Sequence, residues 1–368
     1  MERICMFYPN VSQDAILKVE EVLKGRWVGQ GKVVAEFEEA FAKKVNAPHA
    51  VAVNVSSAAI HLALELCDVK PGDEVITTPQ TCTAANMPIL QNYAKPVFTD
   101  INYLTSNINP EDIEHRITEK TKAIICAHWA GYPCDMDEIH AIAKKNDLPV
   151  IEDASDAFGA TYKERPIGSI SSLTAFSFQA VRQLTTGEGG MLTLKDKDRY
   201  DSAMRRRWYG IDRINRTPNA QGYHDFEVTE TGYGYHMTNI QAAIGLSNLA
   251  HFKELNARRN EIAKRYREEL RDIPKVALFE NKSDRQSANE LFTIHVEDRD
   301  HFYKVMQSQG IDTSIVHLRN DIYKVFGGLR TDLPELDKFT RTNISIPLHN
   351  QLTDAQVTRI ITTIKNGW

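Results

Sequence analysis

Apolar residues recur every three to four positions over residues 13–24, and again over 33–45 (Val33, Val34, Phe37, Ala40, Phe41). That spacing predicts two amphipathic helices. Between them, Gly25-Arg-Trp-Val-Gly-Gln-Gly31 predicts a Gly-rich loop. Short apolar runs then alternate with helical stretches. Strands are expected at 50–53, 73–78, 96–99, 123–127 and 149–152, and helices at 58–66, from 84 and at 136–145. A strand ending near Phe176 and another at 191–194 follow. This rhythm predicts an α/β protein with a mainly parallel sheet covered by helices on both faces. Ligands of such sheets bind beyond the carboxyl ends of the strands. After Gly245 a long charged helix is expected at 246–269, with Leu249, Phe252, Leu255, Ile262 and Tyr266 on one side. A strand at 291–296 and helices at 300–309 and 353–365 complete a small C-terminal α+β domain. The expected division is 1–245 and 246–368.

The chain has 368 residues, 42% of them hydrophobic, ample for a large and a small core. The formal net charge of -5 is mild, and both signs are spread along the chain, which argues against a nucleic-acid partner. Arg205-Arg206-Arg207 is the one basic cluster, and a solvated helix face is favoured over an anion site. No apolar run approaches a membrane span, and Met1-Glu-Arg-Ile-Cys does not open a signal peptide. Five cysteines without a CxxC read as reduced thiols of a cytoplasmic protein, not as a disulfide frame or metal site.

Several segments carry chemistry. Asn54-Val-Ser-Ser-Ala-Ala-Ile-His-Leu-Ala-Leu64 is a strand end, a turn and a helix start. Free N–H groups and the helix dipole bind phosphate at such a place, with Ser56 and Ser57 as added donors. Plain helix capping is the alternative. Asp153, in Glu152-Asp-Ala-Ser-Asp-Ala-Phe-Gly-Ala160, stands at a strand's carboxyl end, either to pair with a cationic ligand or to cap the turn. In Phe176-Ser-Phe-Gln-Ala-Val-Arg-Gln-Leu-Thr-Thr-Gly-Glu-Gly-Gly190, Ser177 and Gln179 flank a strand end, and a Gly-rich turn follows Arg182. Thr77-Thr-Pro-Gln-Thr-Cys-Thr-Ala-Ala-Asn86 holds Cys82, and Gly232-Tyr-Gly-Tyr-His-Met-Thr-Asn-Ile-Gln-Ala-Ala-Ile-Gly245 holds Gly234 and His236.

In order and spacing these segments resemble the DegT/StrS sugar aminotransferases, from about Trp27 to the final helix. The resemblance implies the three-layer αβα PLP-dependent transferase fold (type I). Its cofactor is pyridoxal 5'-phosphate (PLP) or pyridoxamine 5'-phosphate (PMP). Ser56 matches a family glycine and Ser57 a threonine. Asp153 aligns with the partner of the pyridinium nitrogen, which keeps the ring an electron sink. Ser177 and Gln179 fall where the phosphate is held. The family's substrate loop matches Trp27 to Lys32, and its small-domain contacts match His317-Leu-Arg-Asn-Asp321 and Ser345-Ile-Pro-Leu-His349. A charged surface turn is the alternative for His317 and Arg319.

Five more positions depart from the pattern. Cys82 takes the place of the ring-stacking aromatic, and Asp156 that of a Gln or His near the ring hydroxyl. Gly234 replaces the Asn that reaches the neighbouring subunit's phosphate, and His236 follows in place of an Arg. The largest departure is Arg182, which stands where the family has the Schiff-base lysine. A guanidinium stays protonated and has no free lone pair, so it can neither form an imine nor shuttle a proton. The cofactor is therefore expected to be non-covalent or held as an external aldimine.

Three readings follow. The chain descends from an aminotransferase of nucleotide-linked keto sugars, using glutamate as amino donor, with activity lost or altered at Arg182. Alternatively it is a dehydratase-like relative that needs another base, His236 or Asp156. A third reading is a binding or regulatory protein that keeps the pocket. A homodimer with sites at the interface is expected throughout.

Overall fold

The computed structural model describes residues 2–213 and 215–368. Its central sheet has the spatial order His49–Val53, Gly190–Leu194, Leu173–Ser177, Val150–Asp153, Thr121–Ala127, Glu74–Thr77, Lys95–Phe98. Strand Gly190–Leu194 runs antiparallel to both neighbours, and the other pairings are parallel. Strands Val150–Asp153, Leu173–Ser177 and Gly190–Leu194 are buried along their whole length, as a sheet covered on both faces requires. Alternate residues go to opposite sides. Ala50, Ala52, Ile124 and Cys126 join one apolar cluster with helices Lys32–Val45 and Met136–Lys145. Val51, Val53, Ala123 and Ile125 join another with helix Ser56–Leu66. This is the expected three-layer αβα arrangement.

Three helices absent from the sequence reading appear, Pro334–Thr342 among them. Pro110–Arg116 has only 7 residues, started by the Asn109 cap and Pro110, too short to show a period. Lys197–Arg206 is mostly charged and buries only Ala203, so it carries almost no apolar stripe. The long helix spans Asn239–Leu270 and begins ahead of the expected residue 246, because Thr238 and Gln241 form a capping box. The division at 245/246 thus falls inside a continuous helix.

The last turns of that helix (Ile262, Tyr266, Leu270) pack with Arg299–Ser308 and Asp354–Lys365 on an antiparallel sheet of Val276–Leu278, Phe292–Val296 and Asn343–Ile346. Near the N-terminus, helix Gln13–Gly25 starts at its Ser12 cap and buries only Ala15. Its Ile16, Leu17 and Leu23 are each more than half exposed. All five cysteines are unpaired. Among the described residues no helix is long and apolar enough to cross a membrane.

Candidate active site

Three parallel strands and the loops after them deliver side chains to one end of the sheet. Helix Ser56–Leu66 follows strand His49–Val53 and starts with Val55 at its cap position, with no side chain accepting from its amides. Ser56 and Ser57 therefore do not serve as caps, and their half-buried hydroxyls stand beside the helix's positive end. Strand Gly190–Leu194 lies so close that a Cβ on Gly190 would sit 2.8 Å from Ser56 Cα and 2.9 Å from its amide nitrogen. Only glycine lets the two approach. Ser177, paired with Gly190 in the ladder, accepts a long bond from the Gln179 amide (3.4 Å). The Gln179 side-chain oxygen accepts from Val181 N (3.0 Å). Ser56, Ser57 and Ser177 thus flank one strand crossing, with Gln179 two residues beyond it.

The neighbouring end is made of charges. Asp153, buried at the end of Val150–Asp153, accepts from the Ser155 amide (3.1 Å) and hydroxyl (2.5 Å) through one oxygen, Oδ1. Burial pushes its carboxyl above the ordinary range, Ser155 opposes, and the Asp156 charge adds to the rise. Arg182 Nη1 donates to Asp156 Oδ1 and lies 3.7 Å from Glu290 Oε1. Glu290 also faces Arg259 (3.5 Å), which donates to its backbone oxygen (3.1 Å). Burial works against the Arg182 cation, but Asp156, Glu290 and Asp153 outweigh it, so its pKa rises. Arg182 Nε is buried without a hydrogen-bond partner. Arg182 and Asp156 are thus each other's partner.

Cys82 starts helix Thr83–Gln91 and lines the cleft with Asp153, Asp156, Arg182, Trp129 and His317. The free space there is about 20 Å³, room for roughly one water. His317 is delivered from the C-terminal part. Asn320 N donates to Pro79 O, and Asn320 Nδ2 to Thr81 O, each at 2.8 Å. Gln80 donates to the His317 carbonyl (3.2 Å). The ring stands edge-on to Trp129, 5.8 Å between centroids. Burial, with Arg182 contributing, holds its pKa below the ordinary value against the pull of Asp156.

Arg319 requires a correction. It is buried, donates twice to Asp321 (2.6 Å each), pairs with Asp337 and reaches Arg330 O (3.4 Å). Its donors are committed to the fold, so it is neither a surface turn nor a free substrate ligand. The basic cluster also differs from a solvated face. Arg207 is buried on Glu38 and the Ala52 carbonyl, while Arg205 and Arg206 share Glu230 (2.5 and 2.7 Å).

Trp27 belongs to a second, wider cleft of about 480 Å³, and His236 packs against its Trp208. Trp27, 64% exposed, lines it with Trp208, Arg213 and Arg216. His236 stacks on Trp208, 3.7 Å between centroids, and Arg213 lies 3.9 Å over the same indole. Gly234 O accepts from Asn54 Nδ2 (3.1 Å), two residues before Ser56. A Cβ at Gly234 would meet the Tyr209 hydroxyl at 2.8 Å, so that hydroxyl fills the room a longer side chain would take.

A phosphorylated pyridine cofactor finds matching groups here: donors in a helix start and three hydroxyls, and an acceptor in a buried carboxylate with one oxygen spare. It finds no amine at position 182, and the Arg182–Asp156 pair occupies space beside Asp153. Sequence reasoning missed Glu290, Arg259 and Trp129, which no local motif marks, and gave no role to Gln80 and Asn320 inside the segments it singled out, because each acts through a contact with a residue far away in the chain.

The sequence pattern of the DegT/DnrJ/EryC1/StrS aminotransferase family matches residues 9–365. The spore coat polysaccharide biosynthesis protein SpsC of Bacillus subtilis is 36% identical over 97% of this chain and 95% of its own. The sugar aminotransferase CalS13 of Micromonospora echinospora superimposes with TM-score 0.94 at 36% identity, over 99% of this chain and 100% of that one. Spr1654 of Streptococcus pneumoniae, solved in a PMP-form (28% identity, TM-score 0.92, 99% and 97% covered), is also known in a PLP-form.

Proposed function

The chain belongs to the DegT/DnrJ/EryC1/StrS aminotransferase family, and on that premise we propose that it is a sugar aminotransferase by descent that holds PLP or PMP without a covalent link. In this reading Ser56, Ser57, Ser177 and Gln179 take the phosphate, Asp153 the ring nitrogen, and Cys82 packs on the ring. The substrate is a nucleotide-linked keto sugar, glutamate the amino donor, and the cytoplasm the compartment. When bound, the cofactor supplies an electron sink for chemistry at an amine-bearing carbon. Arg182 remains a cation throughout, and Asp153 holds its share of charge through its spare oxygen. Amine transfer is slow or absent, because no group at 182 can give up and retake a proton.

The observation that carries the reading is the Arg182–Asp156 pair, set beside Asp153 in the cleft. Assembly as a homodimer draws support from helix Gln13–Gly25, whose Ile16, Leu17 and Leu23 lie uncovered in one protomer beside Trp27 and Val28 on the following loop. Closed two-fold pairing is the commonest way to cover such a face.

A dehydratase-like reading has one specific point in its favour. His317 lines the cleft and, held below its ordinary pKa, is neutral at pH 7, able to accept a proton. Of the two bases named from the sequence, Asp156 is bound to Arg182, and His236 lies against Trp208, outside the lining of this cleft.

The test is titration of the purified protein with PLP and PMP by fluorescence, then incubation of the PMP complex with UDP- and dTDP-linked keto sugars. Reversible binding of both forms with negligible amino sugar formed is the expected result. No binding of either form contradicts the reading. Amination at ordinary enzymatic rates contradicts the role given to Arg182.

A further inference from the structure

We infer that Asp156 is a positioning residue that makes position 182 a site for a cation, so that a lysine placed there alone would stay largely an ammonium at pH 7. The inference rests on the reading of this cleft as the cofactor site, and goes beyond it by assigning the character of position 182 to a second residue.

The geometry is specific. Asp156 follows strand Val150–Asp153 by three residues, and its Oδ1 accepts from Arg182 Nη1. Both side chains are largely shielded, 10% and 15% exposed. Glu290, 3% exposed, offers a second carboxylate to the same nitrogen, but at 3.7 Å and shared with Arg259 at 3.5 Å. Asp156 is thus the partner in direct contact. Arg259 answers Glu290, whereas Asp156 has Arg182 as its only ion-pair partner among the described residues.

The charges that face the pair come from several elements. They are Asp153 on the same loop, Glu290 and Arg259 from the C-terminal part, and the imidazole of His317. Three carboxylates stand against two guanidiniums. An ammonium at 182 enters an environment short of positive charge.

A carboxylate within contact distance of an amine typically raises its pKa by about 1–3 units. The free amine needed for attack on an aldehyde then falls by about tenfold to a thousandfold. Removing the Asp156 charge while keeping a side chain of like size restores the free amine. The step requires only that the ammonium lose its proton to water; nothing is oxidised or reduced.

The experiment compares Arg182→Lys with Arg182→Lys carrying Asp156→Gln. Both are incubated with PLP at a series of pH values and quenched with borohydride, and covalent label at residue 182 is counted by mass. Fluorescence titration measures PLP affinity, and thermal unfolding checks the fold. Arg182→Lys/Asp156→Asn and Arg182→Lys/Glu290→Gln serve as second variants.

The single variant is expected to label slowly at pH 7 and faster as pH rises. The Asp156→Gln double should label at least about tenfold faster at pH 7, with its midpoint moved to lower pH. Asp156→Asn should behave likewise, and Glu290→Gln should accelerate labelling less. Equal labelling rates and equal pH midpoints in single and double variants would overturn the inference while leaving cofactor binding intact. Failure of the folded variants to bind PLP would overturn the proposed function, and this inference with it.

Discussion

On one side of the sheet's carboxyl end Ser56, Ser57, Ser177 and Gln179 gather neutral donors around a helix start. On the other, Arg182, Asp156, Glu290 and Arg259 interlock as charges. The first end is held by backbone: a strand crossing that only Gly190 allows, and a helix whose amides no side chain caps. Its donors can wait for a ligand at little cost, because half-buried hydroxyls are hydrated when empty. The second end depends on its own members. A guanidinium this shielded is tolerable only with a carboxylate in contact, and each carboxylate needs its cation in turn. The hydroxyl-lined end can therefore be altered without touching the fold, while the charged end cannot.

The largest effect should come from breaking the charged end. Asp156→Ala leaves Arg182 with only the shared, more distant Glu290, and should cost about 3 kcal/mol of stability, read from urea unfolding. A loss within error of zero would mean that the pair is solvated and contributes nothing.

Ser177→Ala tests the other end. It should leave the unfolding midpoint almost unmoved yet weaken PLP and PMP binding by about 1–2 kcal/mol, the usual cost of a lost charge-assisted hydrogen bond. Equal affinity in the variant would place the phosphate elsewhere. A large loss of stability would erase the contrast between the two ends.

Asp153 lies beside the charged end, and its variant should change folding only through its dependence on pH. Burial, aided by Asp156, raises its carboxyl above the ordinary value. The folded state then binds that proton more tightly than the unfolded state. Its contribution to stability is present below the unfolded value and is lost as pH rises through the folded one. Asp153→Asn keeps the acceptor for Ser155 and escapes that loss. The unfolding free energy of the variant relative to wild type should therefore improve from pH 4 to pH 7, while the absorbance of bound PLP departs from that of the wild-type complex. An unchanged spectrum with a damaged fold would reduce Asp153 to a cap for its turn.

The fold was legible in the sequence where burial imposes a period. The strands around Ile124, Ile151 and Met191 and the helix at residues 56–66 sit within two or three residues of their expected bounds. Helix Lys197–Arg206 was not legible, because it has hardly any apolar face to display. In the cleft, the residues that share one strand end with their motif could be read along the chain. The Asp156–Arg182 contact spans 26 positions, and the Arg182–Glu290 contact over a hundred. Such partners become visible only when strands and the C-terminal part are brought together. Arg319 shows the converse: its sequence context pointed to a ligand, but Asp321 and Asp337 had already claimed it.

The central claim is that the neutral end retains the cofactor although the charged end cannot bond to it. The most direct test is borohydride reduction of the wild-type protein saturated with PLP, followed by intact mass under denaturing conditions. The account predicts that fluorescence reports bound PLP before denaturation and that the mass afterwards is that of the bare chain. A mass increased by one reduced PLP, on a lysine whose label is lost when Ser177→Ala weakens binding, would contradict it.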